Sequence, residues 1–254
     1  MADQVVLYAK EGNIGSITIN RPEMKNPLNM GVFTELDKAL DKVAADKDLR
    51  AVVVTGAGNA FVSGADINEL LGYSTQEGWT ASRFQQSVFN KLEKVGIPSI
   101  AAINGFALGG GLELALSCTY RIASTKAKLG FPELGLGIIP AFGGTERLVR
   151  TVGYAKASEL ILFRSIIGSE EALRFGLVHE VAEPEQLLDK AREKAQNLAS
   201  LSPVAVRLEM ELLLNIATQG LDTSLALESS LGALAVSSPQ AKELLGAFLS
   251  KGKK

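Results

Sequence analysis

Two carboxylates stand where carboxylates are costly. Glu113 lies in "GFALGGGLELALSC" (residues 105–118), where three successive glycines lead into a run that is apolar on nearly every side. A helix of that composition is a buried helix, and a buried acid must be paired or kept neutral. An acid in the first turn could merely offset the helix dipole, worth ~0.3–1 kcal/mol at exposed sites, but this segment offers hardly any exposed face. Glu133 follows in "LGFPELGLGIIPAFGGTERL", a stretch of glycine, proline and aliphatic residues that is poor in helix propensity and rich in turn signals. Such a segment predicts a shaped surface.

Paired carboxyl groups in apolar surroundings can be held in different protonation states, which suits general acid and base work near neutral pH. The glycines supply what the acids cannot. A glycine-permitted turn aims backbone N–H groups at one point, and the N terminus of the following helix favours a developing oxyanion. The pattern therefore predicts a carbonyl oxygen held by backbone donors with Glu113 acting beside it.

The elements that must position these groups alternate. "VVLYA" and "IGSITIN" flank a Gly/Asn turn and predict an opening hairpin. Phe33, Leu36, Leu40 and Val43 recur at helical spacing. "AVVVTG" reads as a buried strand, a glycine-bearing loop leads into a polar helix ending near Val95, and "IPSIAAIN" is a second buried strand entering the glycine motif. Alternation of strands and helices predicts an α/β fold with parallel strands. No internal repeat is legible. After about residue 184 only helices are expected, over residues 184–201, 203–218, 221–236 and 239–250, with Ser-Pro pairs at the breaks. Their apolar faces require a partner, either the core or another subunit.

Other chemistries fail on pattern. "GFALGGG" lacks the lysine of a phosphate loop, and "TGAGNAF" has Phe61 where the third glycine of a dinucleotide motif belongs. His179 is the single histidine, and without a G-x-S-x-G elbow it reads as structural, at the edge of a short strand. Cys118 is the single cysteine, so an intrachain disulfide and a Cys/His zinc site are excluded, and it reads as core filler. With 26 basic against 28 acidic residues there is no electrostatic footprint for nucleic acid. The lysine-rich end "SKGKK" reads as a solvated tail. No apolar run reaches membrane-spanning length, and "MADQVVLYAKEG" carries neither signal-peptide nor transit-peptide bias, so a cytoplasmic protein is expected.

"NRPEMKNPLN", "AFVSGADINEL", "IAAINGFALGGGLELALSC" and "GFPELGLGIIPAFGGTERL", in this order and spacing, resemble the crotonase superfamily and within it the enoyl-CoA hydratases, over nearly the whole chain. The resemblance implies a crotonase-type spiral of ββα units over residues 1–200, carrying the active site. A helical C-terminal region over residues 201–254 would serve oligomerisation into a homotrimer or a homohexamer. It implies an acyl-CoA substrate, with coenzyme A part of the substrate and no metal or further cofactor.

The thioester oxygen would sit between the backbone N–H groups of Ala65 and Gly110, and Glu113 and Glu133 would be the catalytic acids of a reversible syn hydration. Glu113 would assist deprotonation of the water, and Glu133 would deliver a proton to Cα. Lys25 and the segment Ser63, Asp66 and Ile67 would meet coenzyme A, and Gly109 and Ala141 would also belong to the substrate-binding set. The acyl wall would include residues 70–79, with Trp79 either lining it or packing elsewhere.

Two departures from the family pattern stand out. Asn68 replaces a common lysine, and Ala141 replaces a glycine whose N–H helps hold the water; alanine keeps that N–H but restricts the backbone. Isomerisation, or hydration of a cyclic or branched enoyl-CoA, is the near alternative. A non-catalytic CoA- or RNA-binding relative is the alternative of another class, against which the intact acids and the near-neutral charge both argue.

Overall fold

A computed structural model describes residues 4–216 and 218–251. The first three residues and the last three of the lysine-rich tail lie outside the described residues. The opening hairpin pairs β1 (Val6–Glu11) with β2 (Ile14–Ile19) in antiparallel register, Glu11 opposite Ile14. Gly12 takes the positive φ that so tight a turn demands. Helix α1 (Met30–Ala45) is capped by Asn29, whose side chain accepts the Val32 N–H. It buries Val32, Phe33, Leu36, Ala39, Leu40 and Val43, the apolar face its spacing predicts.

The remaining elements run in chain order. β3 (Ala51–Gly56) is followed by the short α2 (Ile67–Leu70) and the long α3 (Thr75–Glu93), which starts at a Ser74/Glu77 capping box. β4 (Ser99–Ile103), β5 (Phe106–Leu108) and α4 (Gly110–Leu116) come next. β6 (Tyr120–Ser124), β7 (Lys128–Gly130), a 3-10 turn (Glu133–Leu136) and α5 (Gly144–Leu162) follow. Then come β8 (Ile166–Gly168), α6 (Ser169–Arg174), β9 (Glu180–Ala182) and α7 (Leu187–Ala199). The chain closes with α8 (Pro203–Ile216), α9 (Leu221–Ser237) and α10 (Pro239–Lys251).

A six-stranded sheet runs β1-β2-β3-β4-β6-β9, parallel from β2 onward, and a second sheet runs β5-β7-β8. The repeat hidden in the sequence becomes visible here. β4 is followed by β5 and then α4, β6 by β7 and then α5, and β3 by Val62 and then α3. Val62 joins the second sheet through one parallel bridge to Ala107, and β5 pairs parallel with β7. Each turn of the spiral thus lays one strand in each sheet and adds a helix. One of the two strands is three residues or a single bridge, too short for periodicity to register.

The main core lies between the sheets, α1 and α3, with Phe33, Phe61, Phe89 and Phe131 fully buried. α7 covers the other face of the large sheet through Leu187, Ala191 and Ala195. Cys118 is core filler, as expected. His179 is structural: its ring stacks on Tyr120, and its Nδ1 accepts the Arg121 N–H at 3.1 Å. α8 and α10 begin at their prolines, with Ser202 and Ser238 accepting first-turn N–H groups. No helix among the described residues is long and apolar enough to cross a membrane.

Candidate active site

Glycine backbone shapes the seat of each carboxylate. Glu113 sits in the first turn of α4 and is 1% exposed. Its Oε1 accepts the Phe142 N–H at 2.8 Å and the Gly144 N–H at 2.7 Å, both from the loop that enters α5. Gly144 must lack a side chain, because a Cβ there would fall on the Glu113 side chain. The Phe142 ring anchors that loop edge-on against Phe33 and Phe89, with ring centroids 5.3 and 6.2 Å away.

Glu133 opens the 3-10 turn and is buried, yet its Oε2 has no hydrogen-bond partner among the described residues. The space its carboxyl occupies is the space a side chain on Gly109 would fill. Gly109 also holds φ +50, so two independent constraints require glycine there.

Burial raises both acids. The Glu113 pKa is pushed up to about 7 by desolvation and by the neighbouring Glu133 charge, against the Gly144 and Phe142 N–H groups and the Arg147 guanidinium, which lower it. Glu133 is pushed up to about 7 by desolvation, with only its own backbone N–H opposing. Two coupled acids near neutrality titrate as a pair. The hydrogen bonds break the symmetry: two donors on Glu113 favour its carboxylate, and the unpartnered oxygen of Glu133 favours the acid.

Among the described residues, several backbone donors near these acids have no acceptor. The bridge of Leu28 to Ala65 uses the Leu28 and Asp66 N–H groups, leaving the Ala65 N–H aimed to the other side. The N–H groups of Gly110, first residue of α4, and of Ala141 likewise have no acceptor among the described residues.

Ser63, Ala65, Asp66, Ile67, Gly109 and Glu133 line one cleft of about 340 Å³, with Asn68 among them and Met24, Leu136 and Ile138 as an apolar rim. Gly110 and Glu113 follow Gly109 along α4, and Ala141 belongs to the loop holding Glu113. Lys25 stands outside the lining, exposed, with its ammonium 5.0 Å from the Phe106 ring and its carbonyl accepting the Ser63 N–H. Residues 70–79 do not line the cleft, and Trp79 is 63% exposed.

The carboxylate of Asp66 is committed elsewhere: it accepts from Arg21 Nη1 at 3.0 Å and from the Asn68 N–H that it caps. A larger cavity of about 650 Å³ lies between α3, α5 and α8, lined by acids and bases of both signs, and it holds neither Glu113 nor Glu133.

Sequence reasoning missed Arg147, buried at 6% exposure and paired with Glu93 at 2.8 Å, and it missed the Phe142 and Gly144 donors. The glycine pair before "TERL" was their one visible signal. Arg21 and the fully buried Asn26, which donates to the carbonyls of Ala57, Ala60 and Phe61, left none.

Residues 9–254 match the enoyl-CoA hydratase/isomerase family model. The chain is 44% identical to the short-chain-enoyl-CoA hydratase of Clostridium acetobutylicum over 98% of its own length and 95% of that protein's. It is 39% identical to the crotonyl-CoA hydratase of Syntrophomonas wolfei over 100% and 98%. The crystal structure of an enoyl-CoA hydratase from Bacillus anthracis superposes with a TM-score of 0.93 at 36% identity, covering 98% of this chain and 97% of that one.

Proposed function

The chain belongs to the enoyl-CoA hydratase/isomerase family, and on that premise we propose that it catalyses reversible syn addition of water to a short-chain trans-2-enoyl-CoA, giving the 3-hydroxyacyl-CoA. The observation that carries this reading is the pair of buried carboxyl groups, Glu113 and Glu133, both raised to about 7 and unequally hydrogen-bonded. Relatives of the same length named for short-chain and crotonyl substrates support the chain-length assignment.

The thioester carbonyl accepts the free N–H groups of Ala65 and Gly110. Water lies between the two acids, with the Ala141 N–H as a further donor. As its oxygen bonds to Cβ, ionised Glu113 takes a water proton, and the electron pair of the Cα=Cβ bond moves onto the thioester oxygen. The two N–H groups stabilise that enolate, a contribution for which loss of one donor costs ~10²–10³ in rate. Protonated Glu133 then delivers its proton to Cα. Each cycle leaves the proton on the other acid, so the coupled pair resets by proton exchange.

Coenzyme A leaves the cleft along Ser63, Asp66 and Ile67, with Lys25 free to meet a phosphate. The exposed apolar residues of α8–α10, including Leu213, Leu221, Leu234 and Phe248, support burial of this region against other copies in a homotrimer or homohexamer.

The test is loss of the conjugated enoyl-thioester absorbance when crotonyl-CoA meets the purified protein, run beside Glu113→Gln and Glu133→Gln. Hydration by the wild type with collapse in both variants supports the reading. A folded wild type that binds crotonyl-CoA without hydrating it sinks the reading. Loss in Glu113→Gln with full activity in Glu133→Gln would point instead to one-carboxylate chemistry such as isomerisation.

A further inference from the structure

The donors that hold Glu113 are themselves held. The Phe142 N–H and the Ala141 carbonyl belong to one planar peptide group, so fixing the oxygen fixes the direction of the hydrogen. That oxygen accepts Ser82 Oγ at 2.7 Å and Gln86 Nε2 at 2.9 Å, both from α3. The next peptide oxygen, of Phe142, accepts Arg147 Nη1 at 3.4 Å. Arg147 is gripped by the same helix, its Nη2 donating to Asn90 Oδ1 at 2.6 Å and to Glu93 Oε2 at 2.8 Å. Ser82, Gln86, Asn90 and Glu93 are spaced four, four and three residues apart, one stripe down one face of α3. Gly143 completes the arrangement, since at φ +99 a side chain there would strike the Arg147 guanidinium.

We propose that this stripe is a positioning device: Ser82 and Gln86 aim the Phe142 N–H at Glu113 Oε1, while Asn90 and Glu93 hold the next peptide unit of the loop and the Arg147 guanidinium in place, and together they hold Glu113 as the base. The proposal rests on the hydratase reading for the word base. It does not rest on it for the geometry. Neither Ser82 nor Gln86 touches the reacting atoms, and the Phe142 ring already packs between Phe33 and Phe89, so bulk anchoring of the loop does not need them.

What they add is orientation and polarisation, because donation to a peptide oxygen strengthens the N–H of the same unit. The charged groups facing Glu113 are Glu133, from the turn after β7, and Arg147, from α5. Weakening the N–H donors or removing the guanidinium leaves burial and Glu133 less opposed. Ionisation of Glu113 then moves to higher pH.

The test compares Ser82→Ala/Gln86→Leu and Arg147→Gln with wild type and with Ser87→Ala, a control on the same helix whose hydroxyl bonds only the Phe84 carbonyl. Two readouts are taken. One is the pH profile of kcat on crotonyl-CoA. The other is an infrared titration of the carboxyl band of carbon-13 glutamate-labelled protein, assigned by its loss in Glu113→Gln.

The expected result is that the acidic limb and the Glu113 band both move up by about one pH unit, the scale of one hydrogen bond to a charged group. With it kcat at pH 6 falls by about tenfold, KM stays within about twofold, and Ser87→Ala matches wild type. Limb and band at their wild-type positions in Ser82→Ala/Gln86→Leu would overturn the proposal, whatever happens to kcat and whatever the loss of the guanidinium charge does in Arg147→Gln, because a merely structural role lowers activity without moving them. If the double variant does not fold, Ser82→Ala alone is read in its place. If the wild type hydrates no crotonyl-CoA the hydratase reading fails, and the infrared titration still decides the positioning.

Discussion

Glu113 and Glu133 are both raised to about 7 for the same first reason, desolvation, yet their hydrogen bonding is unequal and favours the carboxylate at Glu113 and the acid at Glu133. Two N–H groups and a guanidinium stand by Glu113, whereas one Glu133 oxygen has no partner among the described residues. Catalysis in the hydration direction should therefore fall below about pH 7, where the base is protonated. Stability follows a separate rule. Because the folded-state pKa of Glu113 lies above its ordinary 4.5, the native state binds this proton more tightly than the unfolded chain. Stability consequently declines as pH rises from about 4.5 to about 7 and levels off above. Glu113→Gln removes that decline. Its stability should gain on the wild type between pH 5 and pH 8, by roughly 2 kcal/mol, while its activity is lost. Parallel melting curves at the two pH values check this, and an unchanged difference would contradict the burial argument.

At the scale of elements, the site is made by α4 meeting two loops through glycine gaps. Gly109 combines a positive φ with the space taken by the Glu133 carboxyl. Gly109→Ala should cost ~1–3 kcal/mol of stability, the scale of a non-glycine residue forced into a glycine-only backbone conformation, here φ +50 and ψ −121, or roughly 2–12 °C in midpoint at this chain length. The same change should lower kcat by about 10²-fold by displacing Glu133 and the adjoining Gly110 N–H, the size of effect expected for one lost oxyanion donor. Melting and crotonyl-CoA assays on one preparation check both parts, and a fully active Gly109→Ala enzyme would refute the geometry. α3 acts as a scaffold at this scale: its apolar face, Val88, Phe89 and Leu92, builds the core while its polar stripe reaches the catalytic loop.

At the scale of the whole molecule, the spiral and α7 bury an apolar cluster on each face of the large sheet, whereas α8–α10 leave large apolar side chains exposed. Phe248 is 75% and Leu249 67% exposed. The proposed assembly would bury these side chains against other copies. Light scattering should report a multiple of three times the 26.9 kDa chain mass, and Phe248→Asp with Leu245→Asp should lower that mass. A wild-type monomer at micromolar concentration would oppose the proposed assembly.

What the chain determined by itself was the set of strong local signals. Glu113 stood out because a carboxylate in an all-apolar helix is expensive, the hairpin because alternation flanks a glycine turn, and α8 and α10 because serine and proline mark their starts. The motif order, through family resemblance, supplied the spiral and the pairing of Glu113 with Glu133. Tertiary structure alone decided the rest. Ser82, Gln86, Asn90 and Glu93 read as a solvated helix face until α3 is laid beside the loop at residues 141–144. Arg147 reads as one charge among many until it is buried against Glu93. The division has one physical cause. Burial cost and turn chemistry act over a few residues and so leave a local pattern, whereas the direction of an N–H group is fixed by partners up to 59 residues away in the chain, which meet only in the folded molecule.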